Sequence, residues 1–234
     1  MEYLKQLEND YLSYTVDCRS ALRLTKARIE NLREQLEVEH DRTIFDNIET
    51  RIKTFDSAVN KCIRKNYDKV PKKNFKRLKP EVITKEDFTI ETVKTHMQDV
   101  AGVRITTVFQ DDIYTIYNAL KQQPGVFITH VDDYIIKPKK NGYRSLHLIL
   151  NVEIYSRDGS KLIPVEVQIR DKAMDLWAAM DHEISYKNSN PSPEAIQKFS
   201  ELARILREFD ESAIGLRPLY QEKVIPFQQQ NSPE

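Results

Sequence analysis

Apolar residues recur at three- and four-residue spacing from the start of the chain: Leu4, Leu7, Tyr11, Tyr14, Cys18 and Ala21, then Ile29, Leu32 and Leu36, amid dense charge. That period matches a helical turn and predicts one or two amphipathic helices reaching to about Asp41. The heptad-like seam fits either a second subunit or the chain's own domain. A further helix is expected over Asn47 to Lys65. After Thr89 the pattern changes. A short helical stretch, IETVKTHM, precedes VAGVRITTVF, an apolar run rich in β-branched residues that predicts a buried strand. Asp111 opens a helix, DDIYTIYNALKQQ, that ends near Pro124 and Gly125. Three strand patterns follow: VFITHVDDYII, SLHLILNVEIY and KLIPVEVQIR. The last two are joined by Arg157-Asp158-Gly159-Ser160, whose Asp-Gly pair is a hairpin signal. Lys172 to Lys187 and Pro193 to Ile214 predict two terminal helices, and the tail beyond is expected to fray. The order β-α-β-β-β between Val100 and Arg170 predicts an α/β (α+β) domain, a mixed β-sheet with helices packed on it.

Composition narrows the chemistry. Of 234 residues, 40% are hydrophobic and 31% charged, and the mean hydropathy is −0.60, which fits a core under a heavily charged surface. No stretch approaches the ~20 apolar residues that span a bilayer. The start MEYLKQLEND has neither the basic flank nor the apolar run of a secretory signal, so a cytoplasmic protein without membrane association is expected. Cys18 and Cys62 form no CxxC pair, which argues against a disulfide framework or a thiol-rich zinc site. None of the five glycines belongs to GxxxxGK or GxGxxG. Any nucleotide phosphates must therefore be held by side chains and metal. Thirty-six basic residues balance thirty-six acidic ones, so a polyanion would be bound by a local patch. One such patch runs from Lys61 to Lys79, with nine basic residues against Asp68 alone. It is expected to be a loop, either solvated or in contact with polyphosphate or RNA.

Two carboxylates sit where charge is expensive. Asp99 immediately precedes the VAGVRI strand, and Glu166 lies inside PVEVQIR with Gln168 and Arg170 alternating on its own face. Such acids must be paired or bind metal. Arg104 and Arg170 are candidate ion-pair partners; the alternative is convergence on Mg²⁺, which takes one or two carboxylates plus substrate phosphates. Between them lies KPKKNGYRSLHL, where Lys137, Lys139, Lys140 and Arg144 surround a glycine turn followed by Tyr143 and His147. A ring beside several cations suits a nucleotide, the ring stacking on the base and the cations meeting phosphates. Half-buried packing of Tyr143 and an ordinary strand role for His147 are the plainer alternatives.

The series RIKT (51 to 54), DVAGVRI (99 to 105), NGYRSLH (141 to 147), VEVQIR (165 to 170) and MDLWAAMDHEISYK (174 to 187) resembles the synthetase domain of the RelA/SpoT family, and is most similar to its stand-alone small alarmone synthetases. The resemblance implies a nucleotidyltransferase-like synthetase domain flanked by N- and C-terminal helices. It implies a helical region over 1–46, a catalytic domain over 47–190, a helix over 191–217 and a flexible tail over 218–234. The implied reaction moves the β,γ-pyrophosphate of ATP to the 3′-hydroxyl of GDP or GTP, giving ppGpp or pppGpp, with Mg²⁺ held by Asp99 and Glu166. Arg51 and Arg104 resemble the pair that sandwiches adenine, and Lys53 a residue near the ATP phosphates. Tyr143 resembles the ring that stacks on guanine, with Lys139, Lys140 and His147 near the acceptor's phosphates or ribose, and Gln168 and Asp175 at the guanine edge. A homo-oligomer, a tetramer as in small members of the family, is implied as well. A tRNA 3′ end reached through Lys61 to Lys79 is an alternative acceptor, and a non-catalytic nucleotide- or RNA-binding regulator is a rival of another class. His40-Asp41 resembles the metal pair of the family's hydrolase domain but is read as coincidence.

Overall fold

The computed structural model describes residues 2–66, 89–156, 159–187 and 192–221. The basic stretch Lys69 to Lys79, the first two residues of the Arg157 to Ser160 turn and the tail after Gln221 lie outside the described residues. In chain order the elements are α1 (Glu2–Glu39), β1 (Phe45–Ile52), α2 (Phe55–Asn66), α3 (Ile90–His96), β2 (Ala101–Thr107), α4 (Asp112–Gln122), β3 (Phe127–Asp133), β4 (Leu146–Ser156), β5 (Gly159–Asp171), α5 (Lys172–Lys187) and α6 (Pro193–Gln221).

The N-terminal periodicity forms one continuous helix. Its stripe of Leu7, Tyr11, Tyr14, Cys18, Ala21, Ile29, Leu32 and Leu36 is buried in a single cluster with Val103, Ile105, Val165, Val167 and Ile169 of the sheet. The seam therefore packs on the chain's own domain. Asp41, at φ 47, sits in the left-handed region that ends helices, so His40-Asp41 is the terminus of α1.

Residues 47–52, expected to open a helix, instead belong to strand β1. Phe45, Ile48 and Ile52 stand at i, i+3 and i+7, which mimics a helical stripe. The cause is an irregularity between Phe45 and Asn47. An extra residue there puts Phe45 and Ile48 on one face, after which alternation carries Ile48 and Ile52 toward the core. Pairing with β2 then overrides a weak local preference.

The five strands lie in the order β1-β2-β5-β4-β3. Only β2 and β5 run parallel; β1 with β2, β4 with β5, and β3 with β4 are antiparallel. The long β4–β5 hairpin is registered from Leu146↔Ile169 to Ser156↔Gly159. Val165, Val167 and Ile169 of β5 face α1, so the two-residue period turns Glu166, Gln168 and Arg170 to the opposite face. Register adds Gly102 and Arg104 from β2, Glu49 and Arg51 from β1 and His147 from β4 to that second, polar face.

At one end of this face, α5 and α6 form a separate cluster of Met174, Trp177 and Ala203, with Tyr143, Phe199 and Leu206 packed against it. Asp171 caps α5 by accepting from Met174 N at 2.6 Å. α6 runs beyond the expected Ile214 to Gln221, through Pro218. Arg217 holds that end by donating to Asp111 at 2.5 and 2.6 Å. Among the described residues no helix is long and apolar enough to cross a membrane.

Candidate active site

Asp99 ends the short loop before β2. Both Lys53 Nζ at 2.7 Å and Lys61 Nζ at 2.5 Å donate to its Oδ2. Burial would raise the Asp99 pKa, but the two ammonium groups outweigh it and hold the carboxyl below its ordinary range. The other oxygen, Oδ1, is buried with no hydrogen-bond partner. Glu166, on β5, accepts from Gln168 Nε2 at 2.8 Å and lies 3.6 Å from His147 Nδ1 and 3.7 Å from Arg51. Burial again pushes upward and Asp99 adds to it, yet His147 and Gln168 leave Glu166 below the usual carboxylate range. Both acids are ionised at neutral pH. The expected partners Arg104 and Arg170 pair elsewhere, because Arg170 reaches forward to the first turn of α5, where Nε donates to Asp175 Oδ1 at 2.6 Å.

Leaving a buried carboxylate oxygen unpaired costs about 1–3 kcal/mol or more. Asp99 Oδ1 thus fits a hard divalent cation, with the nearby charge of Glu166 as the second oxygen donor. Among the described residues no group of three or more metal-ligating side chains converges. Two carboxylates are nevertheless the protein share that Mg²⁺ commonly takes, the rest coming from phosphates and water.

An open cleft of about 300 Å³ lies beside Glu166, lined by Glu49, Arg51, Gly102, Arg104 and Gln168. Arg51 crosses β2 at Gly102, where an added Cβ would sit 3.3 Å from Arg51 Nε and 3.4 Å from Cγ. Arg104 donates to Glu49 at 3.2 Å and lies 4.0 Å from Asp175. Asp175 is therefore engaged by two arginines.

On the far side of Glu166, the turn over residues 137–145 carries Tyr143. Its hydroxyl meets His147 Nε2 at 3.3 Å, and its ring lies 6.5 Å from Tyr134 and 6.2 Å from Trp177. Lys139 Nζ stands over the rings of Tyr134 at 4.3 Å and Tyr143 at 4.8 Å. Desolvation lowers the Lys139 pKa, opposed by Glu166 and Asp132. Lys140 is exposed on the same turn.

One polar face thus gathers Arg51, Arg104, Glu166, Gln168 and His147, flanked by Asp99 and Lys53 on one side and the Tyr143 turn on the other. Three participants escaped the sequence reading. Lys61 was counted with the basic stretch, Glu49 fell in the expected helix, and Tyr134 had no distinguishing pattern. Reading 45–52 as a strand would have found Glu49, two residues from Arg51 on the same face.

Two ionised carboxylates with a free oxygen, cations on both flanks and an aromatic turn equip an enzyme of nucleotide phosphoryl transfer, where alignment and charge neutralisation carry the chemistry. The chain belongs to the RelA/SpoT family: residues 50–191 match the region found in RelA / SpoT proteins. It is 34% identical over 218 residues to the GTP pyrophosphokinase YwaC of Bacillus subtilis, covering 93% of this chain and 95% of the relative. It is 31% identical over 218 residues to the GTP pyrophosphokinase YjbM of the same organism, covering 92% of each. The B. subtilis small alarmone synthetase 1 bound to its product pppGpp superposes with a TM-score of 0.75 at 27% identity, over 90% of this chain and 98% of that one. The same enzyme bound to AMPCPP gives 0.68 at 25% identity, over 92% and 99%. Pyrophosphokinases of this family use divalent metal ions.

Proposed function

We propose that the polar face is a pyrophosphotransferase site, with ATP in the arginine cleft, the guanine nucleotide on the Tyr143 turn and the Asp99 and Glu166 carboxylates between them. The enzyme is a GTP pyrophosphokinase: it transfers the β,γ-pyrophosphate of ATP to the 3′-hydroxyl of GDP or GTP, making ppGpp or pppGpp. The observation that carries the residue assignment is the pairing of Asp99 and Glu166 beside a buried, unpartnered carboxylate oxygen.

The guanidinium planes of Arg51 and Arg104 take the adenine between them, a contact that arginine's delocalised charge favours. Lys53 and Lys61 supply positive charge toward the triphosphate. Tyr143 stacks on guanine, Lys139 and Lys140 meet the acceptor's phosphates, and His147 orients its ribose. Gln168 and Asp175 are assigned to the guanine edge, Asp175 being oriented by Arg170 and Arg104. Asp99 and Glu166 would hold Mg²⁺, which when bound would neutralise phosphate charge and acidify a nearby hydroxyl. Glu166 accepts the 3′-hydroxyl proton as the O3′–Pβ bond forms and the bridge to the α-phosphate breaks, releasing AMP. Its lowered pKa keeps it deprotonated for that task.

The enzyme works in the cytoplasm, where its nucleotides are, and as a homo-oligomer. In support of assembly, Leu202, Ile205, Phe209, Leu216 and Leu219 follow a heptad rhythm along α6 and all are exposed. Incubation with γ-labelled ATP, Mg²⁺ and, in separate tubes, GDP, GTP, GMP and deacylated tRNA tests the acceptor. Label is expected in ppGpp and pppGpp; label confined to tRNA would overturn the reading.

A further inference from the structure

The turn that carries Tyr143 is not self-supporting. Within it Gly142 N donates to Lys139 O at 2.8 Å, Lys139 N to Tyr143 O at 3.1 Å and Tyr143 N to Asn141 Oδ1 at 3.3 Å. The rings of Tyr134, His147 and Trp177 pack around Tyr143, Tyr134 N donates to Ser145 O at 2.9 Å, and a second anchor comes from α6, some sixty residues later. Gly142, at φ +85, lies so close to the helix that an added Cβ would meet Ala203 Cβ at 2.5 Å. The next side chain but one, Arg144, is only 3% exposed. It donates to the Ala203 carbonyl at 2.9 Å and to Asp210 Oδ2 at 3.0 Å. Ala203 and Asp210 are seven residues apart, two turns along one face of the helix. One arginine therefore bridges two turns of α6 from the residue adjoining the Tyr143 ring.

A surface loop could present a tyrosine and two lysines without such an anchor, and burying an ion pair is weak evidence for stability alone, since matched apolar residues often do as well. What the pair does supply is direction. Arg144 has two fixed acceptors, so its backbone, and with it Tyr143, is held at one height against Trp177 and Tyr134. We propose that Asp210 is a positioning residue for the acceptor nucleotide: through Arg144 it fixes the turn on which Tyr143 and Lys139 meet the guanine nucleotide. The proposal rests on the acceptor reading given above. Among the described residues the hydrogen bond of Asp210 goes to Arg144, away from the arginine cleft and the Asp99 loop, so its influence is expected to fall on one substrate.

The test is a set of steady-state kinetics on full-length variants, each confirmed as folded by circular dichroism. Asp210→Ala removes one of the two acceptors of Arg144 and is expected to raise the KM for GDP and GTP about tenfold, with the KM for ATP within about twofold, because the turn is loosened while the Ala203 carbonyl still holds Arg144. Asp210→Asn keeps an oxygen for Arg144 and is expected to recover most of the loss. Should Asp210→Ala fail to fold, Ala203→Val presses on Gly142 from the same helix and is expected to raise the acceptor KM alone. A parallel rise in both KM values, or a fall in melting temperature with both KM values intact, would overturn the proposal. Tyr143→Ala separates the two layers. If it raises the acceptor KM while the α6 variants leave it unchanged, only the positioning role falls; if Tyr143→Ala also leaves it unchanged, the acceptor reading falls first.

Discussion

Gly102 offers a perturbation that touches the donor cleft without touching the fold. Its backbone is ordinary extended strand, and a Cβ there meets Arg51 Nε at 3.3 Å and Cγ at 3.4 Å, with the Glu166 carbonyl at an unstrained 3.9 Å. The two contacts to Arg51 are too tight by a few tenths of an ångström, so Gly102→Ala must push the guanidinium off β2. The stability cost is small, because the Arg51 side chain is 54% exposed and free to move. Removing a glycine from a strand interior offsets that cost by roughly 0.5–1 kcal/mol through lower unfolded-state entropy. A stacking contact to a base is worth about 1–3 kcal/mol, so partial displacement should raise the KM for ATP roughly fivefold or more. The assay is initial-rate kinetics with ATP varied at saturating GDP, beside thermal unfolding. The expected result is a weakened donor with an unchanged acceptor KM and a melting temperature equal to or above the parent. An unchanged ATP KM in a folded Gly102→Ala would show that Arg51 does not cover the adenine.

Asp99→Asn and Glu166→Gln should each stay folded and lose on the order of a hundredfold or more in kcat, since each removes charge neutralisation from the transition state; full turnover at saturating Mg²⁺ would refute the metal assignment. Lys61→Met leaves Asp99 with Lys53 as its only ammonium partner among the described residues and should reduce kcat/KM for ATP about tenfold; unchanged kinetics would make the Lys61 contact structural. Asp210 is pushed from 3.8 up to about 7, first by burial and then by Asp171, against the pull of Arg144. Between those two values the native protein holds a proton that the unfolded chain has released, so this group's contribution to stability falls as pH rises through the window. Melting temperatures at about pH 5.5 and about pH 8 should therefore differ less in Asp210→Asn than in the parent, and an equal difference in both would show that Asp210 does not titrate there.

What the sequence reveals about this protein follows from where each signal is stored. Strand and helix patterns in α1, β2, β4, β5 and α5 are legible because each buries one regular face, and periodicity records burial. β1 reads as a helix in sequence because its bulge converts a two-residue period into apparent three- and four-residue spacing. Tyr143, Glu166 and Asp99 stand out because a cation-rich turn and acids in apolar surroundings are unusual local compositions. Lys61 and Glu49 do not, since lysine on a charged helix and glutamate on an edge strand are ordinary anywhere. Their significance exists only once β1 lies beside β2 and α2 returns toward the Asp99 loop.

The same reasoning explains why the two proposed substrate sites sit where they do. Because β2 and β5 run parallel in an otherwise antiparallel sheet, register sets Gly102 directly beside Glu166 and Arg104 beside Gln168. The proposed donor cleft and Glu166 are thereby adjacent by hydrogen-bond geometry alone. β4, antiparallel to β5 on its other side, sets His147 beside Gln168 and leads straight back into the Tyr143 turn. With the proposed donor site on one neighbour of β5 and the proposed acceptor site on the other, both would converge on Glu166, which is the alignment that in-line transfer between two nucleotides requires. The rigid sheet can guarantee the donor side and the acid. It cannot guarantee the turn beyond the end of β4, and that is where α6 reaches in with Ala203 and Asp210 to grip Arg144.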